Sequence, residues 1–248
     1  MIIKSNHTKN SVDLFVLPIT ASETIDTLQS YQHLLNTEER GRHQRLNQSA
    51  VRLRFLAARV LLRLQLGRTL NCNPATLNFV TSRGGKPRLS CNSPVQFNLS
   101  HSGDMIALVI THGVEPGVDI ECIHRRNRTS SIAMRFFSPS ELDMLNVAEN
   151  STQTFFTYWT LKEAYLKAKG SGLGQSLTSA VFNVHRRIEF LSVDGGTTPS
   201  FFTWRLDNNY QLSLCLLAMD IAPPVIHSID HELRANLFNP VWSLSTLP

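Results

Sequence analysis

A strand pattern, a long helical stretch and further strand patterns follow one another twice along this chain, and that rhythm restricts the fold more than any other feature. The first round opens with SVDLFVLPI, ending at Pro18. It continues through helical spacing in ASETIDTLQSYQHLL and two helical segments between Thr37 and Gly67, and closes on strand patterns from Leu77 to His112. The second begins at GVDIE, passes through two helical patterns and ends in four strand candidates, TSAVFNV, IEFLSV, FFTWRL and YQLSLCLLA. Elements in this order predict an α+β protein of two similar halves. The glycine and proline break at 112–117 sets the expected boundary: an N-terminal half over 1–113, a C-terminal half over 114–224 and a tail over 225–248.

The 248 residues, 42% of them hydrophobic, suffice for a real core. The formal charge of +5 favours an anionic partner but does not choose among nucleic acid, a phosphorylated cofactor, an acidic protein and a membrane surface. The four cysteines form no CxxC pair, which argues against a zinc site or a disulfide framework and leads us to expect a cytoplasmic protein. The first twenty residues lack a signal-peptide pattern and no run approaches the roughly 20 apolar residues of a membrane span, so neither export nor membrane insertion is expected.

In the longest helical pattern, AVRLRFLAARVLLRLQLG, residues Leu53, Leu56, Ala57, Val60, Leu61 and Leu64 form one apolar stripe, and Gly67 is expected to stop the helix. Arg52, Arg59 and Arg63 cluster on the stripe's border and read as a solvated face, whereas Arg54 stands alone on the other border. In LNFVTSRGGKPRLS a Gly-Gly turn joins two strands and should aim Lys86 outward. The Ser138-Pro139-Ser140-Glu141 run has the form of a helix start.

Chemistry concentrates at three places. In GVDIE, Asp119 and Glu121 lie two apart in a strand, so both carboxylates project from one face. Such a pair suits a hard divalent cation, and equally suits an exposed polar strand face. In WTLKEAYLKAKGSGLG, Trp159, Glu163 and Lys167 share one face of a helix that ends at a Gly-Ser-Gly break. A salt bridge between Glu163 and Lys167 is one reading, and a carboxylate and a lysine flanking a metal-bound phosphate is the other. In NLSHS, Ser100 and His101 point to opposite faces of a strand, which argues against a Ser-His proton relay and for a donor role of either towards a phosphate, with a merely structural His101 as the alternative.

The blocks GGKPRL, FNLSHS, PGVDIE, RFFSPSE and WTLKEAYLKAKGSGL, in this order, resemble the 4′-phosphopantetheinyl transferase superfamily, in particular its surfactin-synthetase-activating type. The resemblance runs from about Thr37 to Leu217, and its paired signature G-[VI]-D-x-E and W-[ST]-x-K-E-A-x-x-K is specific. It implies a pseudo-dimer of two similar α/β halves, each a small, mainly antiparallel sheet packed against helices, and transfer of the phosphopantetheine arm of coenzyme A to a serine of an acyl or peptidyl carrier protein, leaving 3′,5′-ADP. It further implies that Asp119, Glu121 and Glu163 hold Mg²⁺, with Mn²⁺ as the alternative ion. Lys167 would meet the pyrophosphate, and Glu163 or a water it orients would take the serine proton. Arg42, Arg54, Lys86, Ser100 and His101 would contact the phosphates and nucleotide of coenzyme A. Pro116 and Thr160 depart from commoner residues without removing a ligand, while Glu39 stands where some relatives carry a basic residue of the 3′-phosphate pocket.

An acidic carrier is the expected partner, with Arg125, Arg126 and Arg128 as candidates for meeting it, and a monomer is expected because the two halves pair within one chain. Two other functions fit parts of the pattern. The three acids suit a metal-dependent nuclease or phosphohydrolase, but that reading leaves Lys86 and the Ser-His-Ser run unassigned. Few aromatics interleave with the arginines, so no nucleic-acid partner is expected. A non-catalytic module for acidic proteins would use the basic charge alone.

Overall fold

The structure, a computed structural model, describes residues 11–20, 22–124, 129–170, 177–185, 187–192 and 198–229. They fall into two compact units, one drawn from 1–80, 88–113 and 224–248, the other from 81–87 and 114–223.

In the first unit β1 (Val12–Pro18) leads into α1 (Ser22–Ser30), a 3₁₀ turn, α2 (Thr37–Arg45) and α3 (Ser49–Thr69). A short hairpin, β2 (Phe79–Thr81) and β3 (Pro87–Leu89), precedes the longer hairpin of β4 (Val95–Ser102) and β5 (Met105–His112). The latter turns on two residues, and Gly103 takes the positive φ of 55° that such a tight connection requires. The sheet order is β11-β1-β5-β4, antiparallel except for β11 (Val225–Ser228), which runs parallel to β1. α3 packs on β4 and β5, and its predicted stripe enters a core with Phe15, Leu17, Phe97, Ile106 and Leu108.

Three expectations are corrected here. Residues 225–228 are not part of a separate tail: Val225 to Ser228 pair with Asp13 to Val16 and complete the first sheet, satisfying an edge that would otherwise be open. Gly67 does not stop α3, which runs on to Thr69. It is glycine because the chain folds back onto it, and a Cβ there would sit 2.7 Å from Pro74 Cγ and 3.0 Å from the Cys72 carbonyl oxygen. Arg63 is not solvated but fully buried. Its Nε donates to the Glu39 carboxylate (2.9 Å), its Nη1 donates to the carbonyls of Pro74 and Leu77 (2.9 and 3.0 Å), and the guanidinium forms an ion pair with Glu39 at 2.7 Å. Glu39 also closes the capping box of α2 with Asn36. Because α2 buries no residue of its own, this ion pair is a principal tie between α2 and α3.

In the second unit β6 (Pro116–Cys122) is followed by α4 (Thr129–Phe136), α5 (Pro139–Val147) and α6 (Ser151–Lys169). The hairpin of β7 (Ala180–Val184) and β8 (Ile188–Ser192) and that of β9 (Ser200–Leu206) and β10 (Tyr210–Leu216) complete it. The sheet order is β6-β10-β9, wholly antiparallel, and α6 lies across β6 and β10. The other face of α6 enters an aromatic core with Phe137, Phe155, Tyr158, Phe182 and Phe201. Both units are therefore small, mainly antiparallel sheets packed against one long helix, the α+β plan expected from the sequence. The stem of the β2–β3 hairpin belongs to the first unit and its tip, 81–87, to the second.

Candidate active site

β6 carries the sequence GVDIE, and strand alternation gives Gly117, Asp119 and Glu121 one face. α6 covers that face at backbone contact: a Cβ on Gly117 would lie 2.0 Å from the Ala164 carbonyl oxygen and 2.3 Å from the Ala168 amide nitrogen. On the helix, Ala164 and Ala168 are one turn apart and form the line of contact, each preceded by a residue of the predicted site, Glu163 or Lys167. Only glycine on the strand permits this approach, and in the same packing Lys167 Nζ lies 2.6 Å from Asp119 Oδ1. Asp119 is 4% exposed, so the ion pair is partly desolvated and stronger than a surface pair.

Glu163 belongs to the same electrostatic cluster. Burial pushes its carboxyl above the ordinary value; the Asp119 and, more weakly, Glu121 carboxylates act in the same direction, and the Lys167 ammonium opposes them. Three carboxylates thus share a field at Glu163 that the Lys167 ammonium partly offsets. Among the described residues no three His, Cys, Asp or Glu side chains are drawn together into a metal-binding cluster. The donor set nevertheless fits a hard cation: the groups are all carboxylate oxygens, and their mutual repulsion is what such an ion would relieve.

Family models match both units. One for the 4′-phosphopantetheinyl transferase superfamily covers residues 115–215, and one for the N-terminal part of 4′-phosphopantetheinyl transferases covers 22–112. The 4′-phosphopantetheinyl transferase HetI of Nostoc is 34% identical over 171 residues, spanning 67% of this chain and 71% of the relative. A 4′-phosphopantetheinyl transferase of Bacillus subtilis is 30% identical over 206 residues, 80% of this chain and 89% of the relative. AcpT of Salmonella typhi is 36% identical over 164 residues, 63% and 81% respectively. The chain belongs to the 4′-phosphopantetheinyl transferase superfamily.

In this phosphopantetheinyl transferase the second unit brings together Asp119, Glu163 and Lys167, with Glu121 contributing to their field. Lys86 is a correction. It is not aimed outward but is buried at 6% exposure, and its ammonium donates to the Glu115 carboxylate (2.9 Å) and to the carbonyls of Pro116 (2.8 Å) and Ala168 (3.2 Å). The first unit holds Arg42, Arg54, Ser100 and His101. On β4, Ser100 is buried and His101 exposed, on opposite faces as strand geometry demands. Arg54 donates to the carbonyl of Gly103 in the neighbouring turn (3.3 Å), and Arg42 is exposed with its guanidinium 5.2 Å from the centre of the Phe55 ring. Arg125, Arg126 and Arg128 lie outside the described residues, as do Ser171 and Gly172 of the glycine break. Gly170 caps α6 in the left-handed conformation at φ 64°.

Sequence reasoning missed three residues. Gly117 was legible in principle, since a glycine inside a strand marks a close backbone approach. Glu141 was read only as a cap, yet it also pairs with the buried Lys162 at 2.9 Å. The third is Thr160, noted only as a departure from serine, whose hydroxyl donates to the Phe156 carbonyl (2.8 Å) and pairs with the Ser213 hydroxyl (2.7 Å), fastening α6 to β10. No sequence signal identifies Ser213 as that partner.

Burial of a charged carboxyl, and after it the neighbouring Asp119 carboxylate, disfavour ionised Glu163 in the folded protein, so Glu163→Gln is expected to melt roughly 2 °C above wild type at pH 7 to 8. The folded-state pKa of Glu163 is raised, so its contribution to stability is fully present below the unfolded value and is lost as pH rises through the folded one. The two melting temperatures should therefore converge on acidification below the ordinary glutamate value of 4.5. Calorimetry in EDTA across this range checks it, and coincident melting at neutral pH would remove Glu163 from the crowded cluster.

Proposed function

We propose that this enzyme transfers the 4′-phosphopantetheine arm of coenzyme A to a serine hydroxyl of an apo carrier protein, in the manner of the surfactin-synthetase-activating type, and depends on Mg²⁺. The carrying observation is the Asp119–Lys167 pair at 2.6 Å in the electrostatic cluster of Glu163: carboxylate oxygens that could hold a cation and an ammonium that could meet a pyrophosphate lie together. Asp119, Glu121 and Glu163 would hold the ion, which when bound neutralises charge on the pyrophosphate as the phosphoanhydride breaks. Lys167 orients the same group as a point charge. The serine oxygen attacks the phosphorus that bears the pantetheine arm, and the bond to the bridging oxygen breaks. Glu163 takes the serine proton, directly or through a water, and 3′,5′-ADP departs.

Arg42, Arg54, Ser100 and His101 are proposed to contact the phosphates and nucleotide of coenzyme A. The net charge of +5 supports an acidic carrier, with the basic connector Arg125, Arg126 and Arg128 as the surface that meets it. Cys72, Cys91, Cys122 and Cys215 are free thiols, which supports a cytoplasmic location, and no helix among the described residues is long and apolar enough to cross a membrane. A monomer fits two halves in one chain.

Incubation with an apo acyl carrier protein, coenzyme A and Mg²⁺ should raise the carrier's intact mass by one phosphopantetheine moiety, and EDTA should abolish the gain. Folded protein that modifies none of several carriers would overturn the reading. In the same assay at low salt, reversing the three connector arginines should raise the carrier KM, and an unchanged KM would exclude that surface.

A further inference from the structure

Lys86 lies where two observations meet that the transfer reaction does not itself use. The first is the end of α6. The last carbonyls of a helix have no intrahelical partner, and Ala168 contributes one of them. Lys86 Nζ donates to that oxygen at 3.2 Å, placing a positive charge at the negative end of the helix. The lysine stem lies over the Gly170 cap, where a Cβ would come within 3.3 Å of Lys86 Cδ. The second is the start of β6. The same ammonium donates to the Pro116 carbonyl at 2.8 Å and to the Glu115 carboxylate at 2.9 Å. Lys86 thus joins strand to helix beside the Gly117 contact with Ala168, one residue from Lys167 on the helix and three from Asp119 on the strand.

We propose that Lys86 is a positioning residue: its ammonium clamps the first residues of β6 to the last turn of α6 and so sets the distance between Asp119 and Lys167. A direct contact with coenzyme A would require that ammonium to leave three acceptors from a site 6% exposed, two of them backbone carbonyls. The clamp also explains why a lysine follows the Gly-Gly turn. The turn takes the positive φ of 85° at Gly85, and its residues 81–87 belong to the second unit with Glu115, Pro116 and Ala168.

The inference rests on the transferase reading for its kinetic arm only. Lys86→Met keeps most of the stem and removes the ammonium; it should lower kcat/KM for carrier modification by about 10- to 100-fold, the scale on which misplacement of reacting groups by an ångström acts. Because Lys86 acts through Lys167, the same substitution in a Lys167→Ala background should cost less than about threefold. Losses that multiply in the double variant would overturn the proposal in favour of a direct contact or an independent structural role.

Hydrogen exchange supplies a readout without substrate. In Lys86→Met the amides of residues 164–170 should exchange faster while those of 151–160 do not change, and unchanged exchange at 164–170 would overturn the clamp. If Lys86→Met fails to fold, Glu115→Gln, which keeps the lysine and its two carbonyl acceptors, should show the same pattern at smaller amplitude; no change there would likewise overturn it. A wild-type enzyme that modifies no carrier would sink the transferase reading and leave the exchange result to decide the clamp.

Discussion

Asp119→Asn is expected to lower kcat/KM for carrier modification by about 10²- to 10³-fold, the range seen when one preorganised electrostatic group is removed from a reacting centre. The substitution is nearly isosteric, and the 4% exposure of Asp119 leaves no room for another group to take its place. What is lost is charge. The amide can still accept from Lys167 Nζ, now 2.6 Å from Oδ1, but it no longer balances the ammonium. It also removes the carboxylate that, after burial, contributes most to raising the Glu163 pKa. The folded state should persist, because the neighbouring contacts of Gly117 with Ala164 and Ala168 do not involve the Asp119 side chain. Initial rates from intact-mass measurement over a range of Mg²⁺ concentrations check this. A loss smaller than about tenfold, with melting unchanged, would take Asp119 out of the machinery that Lys167 and Glu163 share.

Lys162→Met should destabilise the protein by about 3–5 kcal/mol, the cost of removing one partner from a buried ion pair. Lys162 and Glu141 are each 0% exposed and 2.9 Å apart. The ammonium also donates to the carbonyls of Leu177 and Ala180, and the carboxylate accepts from the backbone N–H groups of Ser138 (2.7 Å) and Phe182 (2.9 Å). Methionine fills the lysine's volume but leaves the Glu141 charge without its cation inside an aromatic core. The double variant Glu141→Leu/Lys162→Met removes both charges and should be more stable than Lys162→Met alone, although two backbone N–H groups then lose their acceptor. Urea titrations with constant slope give both values. A loss below about 1 kcal/mol for Lys162→Met would mean that Glu141 reaches water once its cation is gone. Since Lys162 precedes Glu163, the pair also fixes the rotation of α6 about its axis.

The strands, the helices and their twofold order were legible because period 2 and period 3.6 are written directly in the spacing of apolar residues. The two short blocks around Asp119 and Glu163 were legible for a related reason: alternation on a strand and the i, i+4 step on a helix each fix a face without tertiary information. Lys86 and Arg63 show where this stops. Both look solvated, since a long cationic side chain in a turn or beside an apolar stripe has no local partner. Both are buried, because Glu115 lies 29 residues from Lys86 and Glu39 lies 24 residues from Arg63 along the chain. Residues 225–228 show the same limit: four residues make a strand only when a waiting edge on β1 accepts their backbone.

The sequence by itself determined which residue types face one another within each element, and so the α+β plan and the pairing of Asp119 with Glu121 and of Glu163 with Lys167. Only the tertiary structure decided that Gly117 meets Ala164 and Ala168, which joins those two pairs into one field, and that Lys86 and Lys162 are held in the interior. The physical reason is that a side chain's direction follows from local backbone geometry, whereas the burial of a charge depends on whether distant parts of the chain bring it a counter-charge and hydrogen-bond acceptors.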